Sequence, residues 1–451
     1  MNNYYNSQRN GRRAQARRRR RVITRVSILL LLIAALVVGS VALVKKLSNK
    51  DAGDREAEEQ EIRIAESIDT LVEEANFVAL GYDYDKAIEM IKSFGEDYED
   101  YPALTDAIIR YEAKKAETKP YSNVNEITHI FFHTLIVDNS KAFDGDHKEG
   151  GYNQYMTTVS EFNAMMEAMY EKDYVLVSLH DIATLKTDAD GKTKYVPGEI
   201  MLPPGKIPFV MSQDDVSYYE YMEGDGFARK IVIGEDGMPT CEYVLEDGSV
   251  VTGDYDLVPL LEKFIQEHPD FSYRGARAAL ALTGYEGVLG YRSRPDAEKY
   301  PNWEKEAEEA KKVADRMKEI GWEFASHSWG HIQYGSYSYS SVEADANRWE
   351  AEVKPIVGDT DLLIFANGAD IGGIGKYSGD KYEMLYAKGF RYFCNVDASV
   401  YWVQIHDEYV RQGRRNLDGY RMYYNPDMLD DLFDTNLVWD KDRPTPVPPI
   451  G

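Results

Sequence analysis

Short apolar runs alternate with amphipathic segments from Tyr121 onward, and this alternation restricts the fold more than any other feature of the sequence. The runs are as long as single strands, and the segments between them place apolar residues on one helical face. Strands that alternate with helices in this way build a parallel sheet or barrel. The predicted strands include residues 127–132, 174–179, 207–211, 271–283 and 322–325, and the predicted helices include residues 160–170, 257–268, 305–320 and 341–357.

Two adjacent carboxylates, Asp214 and Asp215, follow the predicted strand at residues 207–211. In α/β folds, functional side chains commonly lie where a strand ends and a loop begins. Each of two neighbouring aspartates disfavours ionisation of the other, and a bound cation would resolve that conflict. The structural alternative is an Asp pair in a solvated turn, since Asp is a common turn residue.

Two of the eight histidines, His327 and His331, follow the predicted strand at residues 322–325. Neutral imidazole is the commonest side-chain metal ligand, and two of them at this spacing can converge on one ion. Together with Asp215 they form a ligand set that leaves coordination positions open for water. We therefore predict one catalytic divalent metal site built from these three residues.

The order of these motifs resembles that of the polysaccharide deacetylases, the NodB-homology group or carbohydrate esterase family 4. Residues 212–215 resemble the family motif Thr-Phe-Asp-Asp, and residues 327–331 resemble its His-Ser/Thr-x-x-His/Asp motif. Residues 128–135, which contain His133, resemble the opening strand of the family, and the likeness extends over about residues 120–425. The resemblance implies a distorted (β/α) barrel that removes acetyl groups from an N-acetylated polysaccharide, or from an O-acetylated one.

The resemblance also implies roles for individual residues. Asp214 would be the general base, while Asp215, His327 and His331 would hold the metal ion, with Zn²⁺ as the expected ion. The segment at the position of the third motif would form an oxyanion or substrate loop, with Asn367, Gly368 and Asp370 as its candidates. The fourth motif is matched by Asp397 and Trp402, which would border the site.

The sequence departs from the family pattern in two motifs. The third usually carries an Arg that orients the catalytic Asp, and Asn367 lies in that segment instead. The fifth is usually Leu-x-His, whose His is the general acid, and the matching predicted strand at residues 415–422 has no His. His406 would substitute only if the strand register were different. The alternative function is therefore a glycan-binding protein that has lost turnover, although retention of Asp214 favours an enzyme.

Residues 26–44 contain no charged side chain and follow a run of five arginines at residues 17–21. As a helix they would extend about 28 Å, close to the thickness of a bilayer core. The basic residues before them predict a cytoplasmic tail at residues 1–25 and an extracellular remainder. A cleaved signal peptide is the alternative, but its apolar region is usually shorter.

The remaining segments are assigned around a barrel at residues 120–435. Residues 51–118 are predicted to be helical, either as a stalk or as a module that binds a protein partner. Residues 227–256 are predicted to be a β-hairpin insertion, and residues 436–451 a tail. Cys241 and Cys394, the two cysteines, are predicted to be free, with a disulfide between them as the alternative in an extracellular domain.

The formal net charge is −25, although residues 1–50 are basic. The acidic remainder argues against nucleic acid as a partner, because phosphate binding requires a basic surface. An extracellular acidic domain suits an N-acetylhexosamine-containing polysaccharide of the cell surface, so the predicted partners are this polymer and, through residues 26–44, the membrane.

Overall fold

Seven parallel strands form a closed barrel in the computed structural model, which describes residues 52–95, 97–397 and 402–450. Each strand pairs with the next one along the chain, and the last pairs with the first. The predicted (β/α) barrel is therefore confirmed. The strands are β1 Thr128–Phe132, β2 Ile207–Gln213, β3 Ala279–Leu282, β4 Glu323–Ser326, β5 Leu362–Ile364, β6 Tyr392–Val396 and β7 Val410–Asn416.

The barrel is uneven around β2 and β4. The first residues of β2 pair with an additional strand, Tyr174–Leu176, and only its last two residues pair with β3. The parallel pair of β4 and β5 has the single register match Ser326 to Leu363. Because all seven strands run in one direction, their carboxyl ends still meet at one edge, which we call the carboxyl edge.

Helices connect the strands and cover the barrel. α6 shows why they form, since Thr158 and Glu161 make a capping box at its start and its Met residues are buried against the core. The helices are α1 Ala52–Leu80, α2 Tyr84–Lys92, α3 Pro102–Glu117, α4 Asn139–Ala142, α5 Glu149–Tyr155, α6 Val159–Glu171, α7 Leu257–Glu267, α8 Trp303–Glu319, α9 Tyr339–Glu352, α10 Lys354–Val357, α11 Asp380–Ala387, α12 Gly419–Tyr424 and α13 Thr435–Val438.

Three helices precede the barrel, in agreement with the helical segment predicted there. The side chain of Asp83 caps α2, and Pro102 occupies the first turn of α3, where its missing N–H is not needed. The chain divides at Glu73 into two compact units, and the first contributes only the beginning of α1 to the described residues. The second unit contains the rest of the helical segment and the barrel.

The predicted cytoplasmic tail at residues 1–25 and the predicted anchor at residues 26–44 lie outside the described residues. Within the part of the chain that the structure describes, no helix has the length and apolar character needed to cross a bilayer.

The segment predicted as a hairpin insertion forms a three-stranded antiparallel sheet of Lys230–Ile233, Pro239–Val244 and Val250–Gly253. The backbone N–H of Ile231 donates to the carbonyl of Leu289 at 3.1 Å, so the sheet lies against the loop that follows β3. Cys241 in this sheet and Cys394 in β6 are both buried and free.

Two of the predicted strands differ from the observed ones in length or position. Only Ala279–Leu282 of the predicted strand at residues 271–283 is extended, because short helical turns at Pro269–Phe271 and Tyr273–Gly275 precede it. The strand predicted at residues 415–422 is wrong in register. β7 ends at Asn416, and Asp418 then caps α12 by accepting a hydrogen bond from the backbone N–H of Arg421.

Part of the segment predicted as a tail is packed onto the domain. The guanidinium of Arg443 forms a fully buried ion pair with Glu161 of α6 and also donates to the carbonyl of Asn153 at 3.0 Å. Val447 is also fully buried.

Candidate active site

Asp215, His327 and His331 converge at the carboxyl edge, as the sequence predicted from their positions after β2 and β4. One donor atom from each of the three side chains lies within 4.8 Å of the others. The distance from His331 Nε2 to Asp215 Oδ2 is 3.6 Å. Two ligands of one tetrahedral Zn²⁺ lie about 3.4 Å apart, given metal–ligand bonds near 2.1 Å. The group therefore fits a divalent metal ion.

The surroundings of His327 favour its neutral form, which is the form that binds a metal ion. Its Nδ1 donates to the carbonyl of Ile364 at 2.8 Å, which leaves the lone pair on Nε2. Burial lowers the pKa of His327, an effect that the charges of Asp214 and Asp215 oppose but do not cancel. Because only neutral imidazole binds a metal, both effects favour the ligand form.

Asp215 is held by a chain of hydroxyl groups. The hydroxyl of Tyr219 donates to Oδ1 of Asp215. Thr283 Oγ1 lies 2.9 Å from the same hydroxyl and 3.0 Å from Ser217 Oγ. With Oδ1 engaged, Oδ2 is the oxygen that lies beside His331. Outer hydrogen bonds of this kind fix the orientation of a metal-binding carboxylate.

The backbone around the site is strained. Asp215, Ser328, His331 and Asn367 have φ values of 60°, 60°, 54° and 54°, in the left-handed region that residues other than glycine rarely occupy. Such residues cost about 1–3 kcal/mol each and cluster at functional sites. Of the nine such residues in the described part of the chain, these four lie at the carboxyl edge, in the loops that follow β2, β4 and β5.

Asp345 of α9 holds the turn between His327 and His331. Its carboxylate accepts hydrogen bonds from the backbone N–H groups of Trp329 and Gly330, both at 2.7 Å. The hydroxyl of Tyr334 also donates to it at 2.8 Å. Asp345 therefore fixes the loop that directs His331 toward Asp215.

Asp214 faces a different partner, Arg414 of β7. Two parallel hydrogen bonds join them, Nη1 to Oδ1 at 2.7 Å and Nη2 to Oδ2 at 2.9 Å, and both residues are buried. Burial alone would raise the pKa of Asp214, but the charge and the hydrogen bonds of Arg414 outweigh it and lower that pKa well below its usual value. Asp214 is therefore a carboxylate in this site.

A polar network inside the barrel holds Arg414. Ser212 Oγ accepts a hydrogen bond from Arg414 at 3.1 Å and lies 2.9 Å from His129 Nε2. His129 Nδ1 lies 3.1 Å from Gln412 Oε1, an acceptor, so Nδ1 donates and Nε2 accepts from Ser212. Burial and the nearby Arg414 lower the pKa of His129 well below its usual value, in keeping with this neutral tautomer.

His133 lies directly after β1, at the same edge. Its Nδ1 donates to the carbonyl of Tyr155 at 3.1 Å, and its own carbonyl accepts from Gln213 Nε2 at 3.3 Å. Asp418, which follows β7 at the same edge, is buried, and this burial raises its pKa. The sequence indicated His133 only as part of the opening strand, and the structure joins that strand end to Asp214, whose N–H donates to the carbonyl of Phe132 at 2.8 Å.

Asn367, Gly368 and Asp370 lie in the loop that follows β5, and Asp397 follows β6. Asn367 and Gly368 form the tight turn that follows β5, with the N–H of Gly368 donating to the carbonyl of Phe365 at 2.9 Å. The carboxylate of Asp370 pairs with Arg411 at 2.7 Å. Asp397 accepts from Trp402 Nε1 at 2.6 Å, and its N–H donates to the carbonyl of Arg414.

His406 does not replace the missing histidine of the fifth motif. It precedes the first residue of β7, at the amino end of the barrel, and packs on the ring of Tyr409. The carboxyl edge lies at the other end of β7, which ends at Asn416.

Comparisons with known proteins add the following findings. Residues 300–371 match a family model described as polysaccharide deacetylase, a stretch that contains both His327 and His331. The solved structure of the deacetylase PplD from Streptococcus pyogenes in complex with acetate is 11% identical, with a TM-score of 0.37 and coverage of 70% of this chain and 99% of that chain. That of a de-N-acetylase from Aggregatibacter actinomycetemcomitans is 12% identical, with a TM-score of 0.35 and coverage of 65% and 95%. No protein with a curated description matches this sequence.

Proposed function

We propose that this protein is a metal-dependent hydrolase that removes acetyl groups from an N-acetylated polysaccharide. The observation that carries the proposal is the separation of two adjacent carboxylates into two environments. Both aspartates lie near His327, but Asp214 is paired with Arg414 at 2.7 Å, whereas Asp215 shares a possible metal site with His327 and His331. Neighbouring acids with different environments are typical of sites that assign them different roles. The deacetylase family match at residues 300–371 supports the same class of reaction.

In this proposal Asp215, His327 and His331 hold the metal ion, with Zn²⁺ as the expected ion. When bound, such an ion polarises the amide carbonyl and lowers the pKa of a water molecule beside it. Asp214 accepts the proton from the attacking water, and Arg414 keeps that carboxylate oriented. The C–N bond then breaks, which gives acetate and a free amine on the sugar.

The leaving amine needs a proton, and His133 is our candidate for the donor. It lies at the carboxyl edge, and its contact with the Tyr155 carbonyl fixes the ring through Nδ1. Asn367 lies at the strained turn that follows β5. Its backbone N–H is our candidate for oxyanion stabilisation, because the N–H groups of Gly368 and Asp370 already donate to carbonyls of the same turn.

The alternative of a glycan-binding protein rested on a missing Arg and a missing His. Arg414 and His133 supply those two chemical groups from β7 and from the end of β1. Their positions support an enzyme. We further propose an N-acetylhexosamine-containing cell-surface polymer as the substrate, an anchor at residues 26–44, and a stalk or docking role for residues 51–118.

The test is acetate release by the full-length protein from chitooligosaccharides, peptidoglycan and acetylated xylan. We expect release from at least one N-acetylated polymer, and loss of at least a hundredfold in kcat for Asp214→Asn. Glu298→Gln, at an exposed position outside the site, is the matched control and should leave the rate unchanged. Equal rates in the wild type and Asp214→Asn would refute Asp214 as the base.

A further inference from the structure

We propose that the exposed ring of Tyr221 forms a sugar-binding subsite beside Asp215, on which a pyranose ring adjacent to the acetylated unit stacks. This inference rests on the proposed function and adds a recognition element for the polymer. Tyr221 lies outside the motifs that carry the family resemblance.

Three tyrosine rings lie nearly parallel at this point. The ring of Tyr219 stacks with that of Tyr221, with centroids 5.8 Å apart and planes at 15°, and with that of Tyr285, at 5.0 Å and 17°. Tyr219 is the buried member, whereas 51% of Tyr221 is exposed. Tyr221 is therefore the exposed member of an aromatic group whose shared ring, Tyr219, is buried.

The stack is joined to the proposed metal site. The hydroxyl of the buried Tyr219 donates to Asp215, the candidate metal ligand. Partial burial and the nearby negative charge of Asp215 raise the pKa of Tyr221 to about 12, and the pKa of Tyr285 is raised for the same reasons. The exposed ring thus lies within electrostatic range of the atoms that would bind the metal.

Backbone contacts hold the stack in place. The N–H of Tyr285 donates to the carbonyl of Trp329 at 3.1 Å, and Arg294 donates to the carbonyl of Tyr285 at 3.2 Å. The carbonyl of Tyr221 accepts from Lys148 Nζ at 3.1 Å. A platform that is rigid before binding loses little conformational entropy when a ligand stacks on it.

The chemistry of such a platform fits a pyranose ring. An aromatic face carries partial negative charge, and the axial C–H groups of a pyranose carry partial positive charge. The sugar hydroxyls project from the ring edge and stay hydrated while the C–H face is covered. Aromatic surface next to a polar catalytic centre is also the usual lining of a small-molecule site.

The experiment compares Tyr221→Leu, which removes the ring, with Tyr221→Phe, which keeps the ring and loses only the hydroxyl. Phe77→Ala is the control, because Phe77 is an exposed aromatic side chain of α1. We expect Tyr221→Leu to raise KM for an N-acetylglucosamine hexasaccharide by roughly 3- to 10-fold, in the range of one aromatic stacking contact. Its effect on the monosaccharide should be smaller, and Tyr221→Phe and Phe77→Ala should keep the KM of the wild type.

An unchanged KM in Tyr221→Leu would overturn the subsite while leaving the proposed reaction intact. An equal loss in Tyr221→Phe would also overturn it, since the hydroxyl rather than the ring would then be responsible. If the wild type releases no acetate, the proposed function fails, and the subsite is judged from hexasaccharide binding by titration calorimetry. Weaker binding only in Tyr221→Leu would support it, and equal or absent binding in all variants would contradict it.

Discussion

Arg414 donates two parallel hydrogen bonds to Asp214 from a strand that lies 200 positions further along the chain. Paired guanidinium–carboxylate bonds fix orientation as well as charge. In the proposed mechanism, β7 therefore supplies the orienting Arg that the resemblance placed in the third motif. This relationship makes the absence of an Arg near Asn367 compatible with an oriented base.

Replacing Arg414 by Ala should remove both orientation and charge compensation. Breaking a buried ion pair by removing one partner typically costs about 3–5 kcal/mol, because the remaining charge is buried and unpaired. We expect a loss of this size in the free energy of unfolding measured with urea, together with loss of acetate release. Arg63→Ala, at an exposed position in α1, is the control and should change neither quantity. Wild-type stability in Arg414→Ala would contradict a buried pair.

Tyr219→Phe should weaken metal binding without unfolding the protein, because it removes the hydroxyl that donates to Asp215 and keeps the buried ring. Outer contacts of this kind typically contribute 10- to 100-fold in metal affinity. Calorimetric titration with Zn²⁺ measures the change. Tyr337→Phe, at an exposed tyrosine, should retain the affinity of the wild type. An unaltered Zn²⁺ affinity in Tyr219→Phe would show that this hydroxyl does not orient the ligand.

His133→Gln should lower kcat by about 10²- to 10⁴-fold if His133 delivers the proton to the leaving amine. KM and Zn²⁺ affinity should change little, because His133 is outside the proposed ligand set. The split between kcat and metal affinity separates a catalytic role from a structural one. If His133→Gln keeps the kcat of the wild type, a different group donates the proton.

His180 lies at the amino end of the barrel, opposite the carboxyl edge. It makes the free energy of unfolding depend on pH. Its ring bridges Glu323 at the start of β4 and Asp361, which precedes β5. Burial would lower its pKa, but the two carboxylates outweigh burial and raise the pKa of His180 to about 10. A raised pKa means that the stabilisation is complete below the unfolded value of about 6.5 and disappears as pH rises through about 10.

The measurement is the difference in unfolding free energy between the wild type and His180→Gln at pH 6, 8 and 10. We expect the difference to be largest at pH 6 and smallest at pH 10, and to be modest because the side chain is 45% exposed. Acetate release at pH 7 should not change, since the bridge is at the amino end. A difference that grows with pH would contradict a protonated bridge.

The sequence predicted the convergence of Asp215, His327 and His331 because each follows a parallel strand, and such strands end at one edge. It did not predict Arg414 as the partner of Asp214, since nothing local links residues 200 positions apart. The predicted strand at residues 415–422 was wrong for a physical reason. β7 buries charged and polar side chains, including Arg411, Gln412 and Arg414, so a search for an apolar run passes over it.

The sequence pattern did not single out Tyr219 or Tyr221 either. The chain has 34 tyrosines, and composition does not distinguish one that stacks beside Asp215 from one on the surface. Their role depends on the left-handed turn at Asp215, which brings the Tyr219 hydroxyl back to the carboxylate. That geometry is visible only in the folded chain.

The decisive measurement is acetate release from an N-acetylglucosamine hexasaccharide by the full-length protein, first depleted of metal and then titrated with Zn²⁺. We predict that release is absent after depletion, returns in proportion to Zn²⁺ up to one ion per chain, and does not return in His327→Ala. A folded protein that binds one Zn²⁺ per chain and releases no acetate from this substrate, peptidoglycan or acetylated xylan would contradict the proposed deacetylase.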